Sequence, residues 1–278
     1  MTSADLEYHA ILSDILNYGH ERTDRTGTGT KSLFGPQVMY ADVASNFPLL
    51  STKKIPFKSV LSELLWFLSG STNDYDLRAL NGTKRTIWTD NLEADYWKTQ
   101  GEFGDLGMIY GKQWRNWNGV DQIKMVEDQL KTDPYSRRIL LQSYSPEQIG
   151  NASLPACHLL AQFYVHAQDH SLSCHVYIRS NDMFLGHPFN IASYATLMHM
   201  LASAHGFIPG DLIVSMGDAH IYMNHYEQVE TQLSRGGQKE SPILVVNPAR
   251  KSVLDFVMDD FNLLNYDPDP AIKAPMAV

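Results

Sequence analysis

Apolar side chains return every three or four positions at the start of the chain, at Leu6, Ala10, Ile11, Ile15 and Leu16, and predict a helix over Leu6–Gly19 with one buried face. The same period recurs over Val60–Leu68, in a short piece around Tyr75–Leu80, and over Asp121–Thr132, which Asp133 and Pro134 bring to a stop. Ile139–Ser143 reads as a strand. From Leu159 the period falls to two: Leu159, Ala161, Phe163 and Val165 share a face with Cys157, while His158, Gln162 and Tyr164 share the other. In the return strand Leu172, Cys174, Val176 and Ile178 alternate with Ser173, His175, Tyr177 and Arg179. Residues 154–194 therefore predict a hairpin and a loop feeding a helix over Ile191–Phe207. That helix is apolar enough for a core, but it is interrupted by Ser, His and Tyr and is too short to span a bilayer. Strand-like patterns return over 211–229 and beyond Pro242, and the Pro-rich end DPDPAIKAPMAV reads either as disordered or as a flap. No repeat, low-complexity tract or linker divides the chain, so the expectation is a single α+β domain over residues 1–278, a substantial sheet packed against helices.

Composition narrows the chemistry. The chain has 278 residues, 44% hydrophobic and 19% charged, and a net charge of -9. An acidic chain lacks the basic surface that nucleic acid or an anionic membrane requires, so neither is expected as a partner, and any bound anion must meet a local cluster. Two cysteines make no disulfide framework, and no Cys/His spacing suggests a metal. The opening MTSADLEYHAIL lacks the basic and apolar regions of a signal peptide, so a reduced, cytoplasmic setting is expected.

Candidate chemistry collects around the hairpin. Cys157 opens its first strand beside His158, Arg179 and Ser180 close the second, and Asn190 lies just beyond. A thiol, a guanidinium and a carboxamide suit a nucleophile beside an anion site, the guanidinium lowering the thiol pKa. A lone Cys also serves simply as packing, which is the reading for Cys174. Glu63 shares a helix face with Val60, Trp66 and Phe67; it is either a buried acid of raised pKa or a rim carboxylate paired with Lys53, Lys54 or Lys58. Arg22 and Arg25 lead into a Gly/Thr-rich run that allows close backbone approach to a ligand, or makes a plain turn with solvated arginines. Arg137 and Arg138 are neighbours at a strand mouth and point to opposite faces, so both reach one anion only at a bend or an interface. His220 and Tyr222 share a strand face and offer polar tips for a sugar.

The segments DRTGTGT at 24–30, STKK at 51–54, ELLWFLSGSTN at 63–73, IYGKQWR at 109–115, DPYSRR at 133–138, PACH at 155–158, RSNDMFLGHPFNIASYA at 179–195 and GDAHIYMNH at 217–225 occur in the order and spacing of one family. The sequence resembles the thymidylate synthases. The resemblance implies a large mixed sheet with one face at a homodimer interface, and reductive methylation of dUMP to dTMP with 5,10-methylenetetrahydrofolate as co-substrate and no metal. It makes Cys157 the nucleophile at carbon 6 of uracil, with His158 beside it. Glu63, Tyr110 and Asp218 serve water and proton movement, and Asn190 reads the uracil edge. Arg25, Arg179 and Ser180 hold the phosphate, with Arg137 and Arg138 reaching across the dimer. His220 and Tyr222 take the ribose hydroxyl, and Gln162 and Asp182 join the substrate set. Ile87, Trp88, Leu154, Asp182, Gly186, Phe189, Tyr222 and Val278 line the folate site, with Lys53 near its glutamate chain.

Several positions depart from the family pattern. Thr89 and Asn91 stand where Asp and a second Trp are usual, Ser143, Tyr144 and Ser145 replace Ala-Trp-Asn, Ile178 replaces a Gln, and His187 precedes Pro-Phe-Asn where an apolar residue is common. A wetter pocket around Thr89, Asn91 and His187 suits the alternative, 5-hydroxymethylation of dUMP, in which water takes the one-carbon unit and tetrahydrofolate is retained. A third reading, an inactive relative that binds nucleotide or RNA as a regulator, is opposed by the joint presence of Cys157, Glu63, Asn190 and the arginines.

Overall fold

The computed structural model describes residues 1–24, 27–100 and 102–276. Arg25 and Val278 lie outside the described residues. The chain opens with α1 (Ser3–Tyr18) and continues through β1 (His20–Arg22), β2 (Thr30–Phe34) and β3 (Gln37–Tyr40). A helical segment follows: α2 (Phe57–Ser69), α3 (Asp74–Asn81), α4 (Thr89–Glu93), α5 (Tyr110–Arg115) and α6 (Gln122–Thr132). Then come β4 (Leu140–Gln142), β5 (His158–Val165), β6 (Ser171–Asp182), α7 (His187–His205), β7 (Ile208–Tyr222), α8 (Tyr226–Leu233) and a ribbon of β8 (Ile243–Val246) with β9 (Phe261–Leu264). The expected mixed sheet with helices packed on it is present.

Its strands run β1-β2-β7-β6-β5-β4, with β3 also paired to β7. Every pairing is antiparallel except β6 with β7. Parallel neighbours need a crossover, and α7 supplies it. This helix is buried on nearly all sides, from Ile191 to Ala202, and it packs on the sheet face that carries Phe163, Cys174, Val176 and Ile178. It begins at His187, one turn before the predicted Ile191, because Pro188 in the first turn is preorganised for a helix start and has no N–H to lose.

The hairpin alternates as expected except at its start. A register shift between His158 and Leu160 makes His158 the partner of the buried Ile178, so His158 turns to the core side rather than sharing a face with Gln162 and Tyr164. Among the described residues no helix covers the opposite sheet face: Met39, Tyr164 and Tyr177 are exposed there, and Gln37 and His175 both bond the Ser215 hydroxyl between them. The C-terminal segment is packed rather than loose, its Asp269 backbone paired with Ser51 and Lys54 and its Pro275 carbonyl with His225.

One buried carboxylate ties the start of the chain to the 51–54 loop. Asp5 accepts from the Thr2 backbone and hydroxyl, and from the amides and hydroxyls of Ser51 and Thr52. Burial pushes its pKa up, but these hydrogen bonds outweigh it and hold the carboxyl below its usual range. A group with a depressed folded pKa stabilises above its unfolded pKa and loses that contribution as pH falls. Replacing Asp5 by Ala therefore costs about 3 kcal/mol at neutral pH, by orphaning buried donors. Urea unfolding will show that deficit shrinking as pH falls below about 4.

Candidate active site

The loop that carries Cys157 is held from two sides. Arg179, near the end of β6, donates from Nε to the Ala156 carbonyl and from an Nη to the Pro155 carbonyl, both at 2.8 Å. The Tyr110 hydroxyl, from the start of α5, accepts from the Cys157 amide at 2.8 Å and the His158 amide at 3.2 Å. The sulfur is thus fixed by its backbone. Burial pushes the thiol pKa up and the Arg179 guanidinium offsets this only in part, so the net direction is opposite to the lowering expected from sequence. Cys174, by contrast, is a fully buried core thiol, as read from the alternation.

An aromatic wall stands over this loop. Trp88, Phe67, Trp114 and Tyr110 pack edge to face or tilted, with ring centroids 5.0 to 6.2 Å apart, and Tyr110 continues to His158 at 5.1 Å. Glu63 on α2 lies at its edge and accepts a 2.6 Å hydrogen bond from the Trp88 indole N–H. Burial pushes its pKa up to about 7, against the lowering effect of that bond. Of the two readings of Glu63, the geometry matches the buried acid. Lys53 does not reach it: this lysine is buried, donates to the Phe184 carbonyl at 2.5 Å and sits over the Phe184 ring. Burial lowers its pKa to about 7.

The parallel register of β6 and β7 builds the rest. Ser180 lies beside Asp218 and Asp182 beside His220. His220 Nδ1 is 3.1 Å from Asp218 Oδ1, and Arg22 pairs with the other Asp218 oxygen at 2.9 Å, a contact the sequence did not single out. The rings of His220 and Tyr222 meet edge to face at 5.1 Å, so the two share the expected neighbourhood. Arg137 and Arg138 lie elsewhere, exposed on the loop before β4, where the Gln162 amide donates to the Arg137 carbonyl. Neither guanidinium makes an ion pair among the described residues. Within one chain, the structure gathers Cys157, Tyr110, His158, Arg179, Glu63 and Asn190 but leaves Arg137, Arg138 and Gln162 apart from them.

The model of a family described as thymidylate synthase matches residues 6–278. The chain belongs to that family. Its members are transferases that act on dUMP with a methylenetetrahydrofolate co-substrate. The residues here suit such a flat, partly apolar group. Ile87 stands exposed next to Trp88, Leu154 and Phe189 are partly exposed, and Asp182 Oδ1 caps the amides of Phe184 and Leu185. A Cβ on Gly186 would lie 3.0 Å from the Asp182 carbonyl, so any larger residue there would crowd the turn into α7. Among the described residues, no group of His, Cys, Asp and Glu could hold a metal ion.

Two of the family departures are placed differently from the wet pocket pictured for them. Thr89 is fully buried, donating to Asp74 Oδ2 at 2.9 Å and accepting from the Thr86 amide. His187 is also fully buried, with one ring nitrogen at 2.7 Å from the Tyr40 hydroxyl and the other at 2.7 Å from Asn181 Nδ2. Tyr40 and Asn181 had not been singled out; a polar residue at a strand end carries no sequence mark of burial.

The raised pKa of Glu63 has a sign that can be tested. The folded state binds this proton more tightly than the unfolded chain, so folding stability falls as pH rises from the ordinary carboxyl range towards about 7. Glu63→Gln removes that penalty. Thermal melts will show the variant more stable than the parent at about pH 8 and the difference gone at about pH 4.

Proposed function

We propose that this chain is a thymidylate synthase in the narrow sense, methylating dUMP reductively to dTMP. The Cys157 sulfur adds to carbon 6 of uracil and opens the 5,6 double bond, and the charge is delocalised towards O4. Asn190 receives that edge, an N–H to O4 and its oxygen to N3–H. Glu63, with a pKa near neutrality, and the Tyr110 hydroxyl move protons beside the ring, and Asp218 holds His220 for the ribose with Tyr222. Arg179 keeps N–H groups for the phosphate beyond the two it gives to the nucleophile loop, and Ser180 and Arg25 complete the phosphate set. When bound, 5,10-methylenetetrahydrofolate supplies the one-carbon unit and the hydride; Ile87, Trp88, Leu154, Asp182, Gly186, Phe189 and Val278 hold it.

The observation that favours methylation over hydroxymethylation is the burial of Thr89 and His187. Both are closed into hydrogen-bonded clusters and bring no water to carbon 5. Asn91, 9% exposed, is the departure left to the second reading.

A homodimer completes the site. The sheet face bearing Met39, Tyr164 and Tyr177 also carries Gln37 and His175 and has no helix over it among the described residues, and the exposed arginine loop lies at the same sheet's β4 edge. A second copy covers that face, and Arg137 and Arg138 of the partner subunit reach the phosphate, which removes the difficulty of two neighbouring arginines on one strand. The setting is reducing and cytoplasmic, since Cys157 works as a free thiol.

Two measurements test this. Incubation with dUMP and the co-substrate gives dTMP and dihydrofolate in equal amounts, and Cys157→Ala lowers the rate about ten-thousandfold; hydroxymethyl-dUMP without dihydrofolate would establish the second reading. Mixing inactive Arg138→Ala with inactive Cys157→Ala restores activity, because one site per mixed dimer then has both groups. Failure of rescue in a verified mixed dimer removes the shared-site assignment.

A further inference from the structure

Asp74, in the first turn of α3, is a fully buried carboxylate outside the set assigned to the reaction. Four donors close on its two oxygens. The Thr86 hydroxyl donates to Oδ1, the Thr89 hydroxyl donates to Oδ2 at 2.9 Å, and Arg78 holds Oδ2 through Nε at 2.8 Å and Nη2 at 2.6 Å. Each threonine oxygen also accepts a backbone amide. Thr86 takes the Trp88 N–H at 3.0 Å, and Thr89 takes the Thr86 N–H at 2.9 Å.

The direction of these bonds follows from the carboxylate. A hydroxyl has one proton, and Asp74 takes it from both threonines, so both threonine oxygens are left to receive the two amides. The turn over 86–89 is thereby wrapped round a single charge, and Trp88, at the foot of α4, is held by its backbone. Its ring is boxed by Trp66, Phe67 and Tyr110 at centroid distances of 5.8 to 6.2 Å, and its indole N–H meets Glu63 Oε1 at 2.6 Å. That bond favours the ionised carboxyl, against the burial that holds the Glu63 pKa up at about 7. Among the described residues, no charged group adds to these two effects. The titratable groups on elements packed against α2 turn to other partners: Arg78 to Asp74, Arg115 to Asp121, Tyr110 to the Cys157 amide, His199 to the Val43 carbonyl and Asp260 to Arg250.

We propose that Asp74 is a positioning residue for the reaction: by directing the Thr86 and Thr89 hydroxyls it fixes the turn before α4 and holds the Trp88 indole N–H on the Glu63 carboxyl. This rests on Glu63 being the group that moves protons beside the base. Asp74 touches neither the nucleotide nor Glu63. It acts only through the aim of Trp88.

Asp74→Asn keeps the volume and breaks the direction. Its amide nitrogen donates to one of the threonines, which must then turn its hydroxyl away and give up its backbone amide. Thr86→Val removes the hydroxyl that joins Asp74 to Trp88, whereas Thr86→Ser keeps it. The readout is carbon NMR of protein labelled at the glutamate side-chain carboxyls, without ligand, with the Glu63 signal identified by its loss in Glu63→Gln. The midpoint of the Glu63 titration is expected about 1 pH unit higher in Asp74→Asn and in Thr86→Val, the worth of one hydrogen bond to a charged group, and unchanged in Thr86→Ser. With dUMP and the co-substrate, kcat falls about tenfold in the two shifted variants while KM for dUMP holds. A Glu63 midpoint unmoved in folded Thr86→Val, or moved equally in Thr86→Ser, overturns the proposal and leaves Asp74 a structural carboxylate. An inactive parent chain whose midpoints still move as expected is a different failure, that of the proposed reaction, and leaves the positioning of Trp88 intact.

Discussion

Parallel strands cannot be joined by a tight turn, so the pairing of β6 with β7 forces the chain out of the sheet at Asp182, through α7, and back in at Ile208. This constraint places the site. The carboxyl ends of both strands and the start of the crossover helix come together at one end of the sheet, where backbone groups are free to meet a ligand. Ser180, Asp182, Asp218 and His220 sit there by register, and Asn190 by being in the first turn of α7. Cys157 comes from the start of β5, the antiparallel neighbour, and the Arg179 bonds to Pro155 and Ala156 hold its loop against β6.

The same burial that anchors these elements sets their charge. Glu63, Cys157 and His158 are each pushed by desolvation towards their neutral forms, the acid and thiol upward and the imidazole downward. The interior of the site is therefore poor in fixed charge before a ligand enters, apart from arginine. That division explains how a chain with a net charge of -9 can handle an anionic nucleotide. The Arg179 guanidinium stays ionised when buried, while Glu63 can gain or lose a proton near neutrality.

Much of this was legible in sequence, and the parts that were not share a cause. Periodicity identifies which face of an element is buried, and it located α1, α2, α6, the hairpin and the core role of Cys174. It assumes an unbroken register, so the bulge between His158 and Leu160, which turns His158 into the core, left no trace in the pattern. Composition likewise marks Lys53 and His187 as polar without saying which way they point. Lys53, expected near the folate glutamate chain, is buried and donates to the Phe184 carbonyl; His187 was pictured lining a wet pocket and lies between Tyr40 and Asn181. In both cases the partner that makes burial tolerable comes from a distant stretch, and one sequence does not display that pairing.

A buried polar residue has to be satisfied, and satisfaction transmits orientation. Thr89 is locked by Asp74 and Thr86 at the foot of α4, next in the chain to Trp88, whose indole N–H reaches Glu63. His187 is locked at the head of α7, three residues from Asn190. An apolar side chain at either position would fill the same volume but impose no direction on its neighbours. The two departures thus replace packing with hydrogen bonds beside Trp88, which holds the Glu63 carboxyl, and beside Asn190. That is why two substitutions that look in sequence like an opening of the pocket belong, in the folded chain, to its rigid frame.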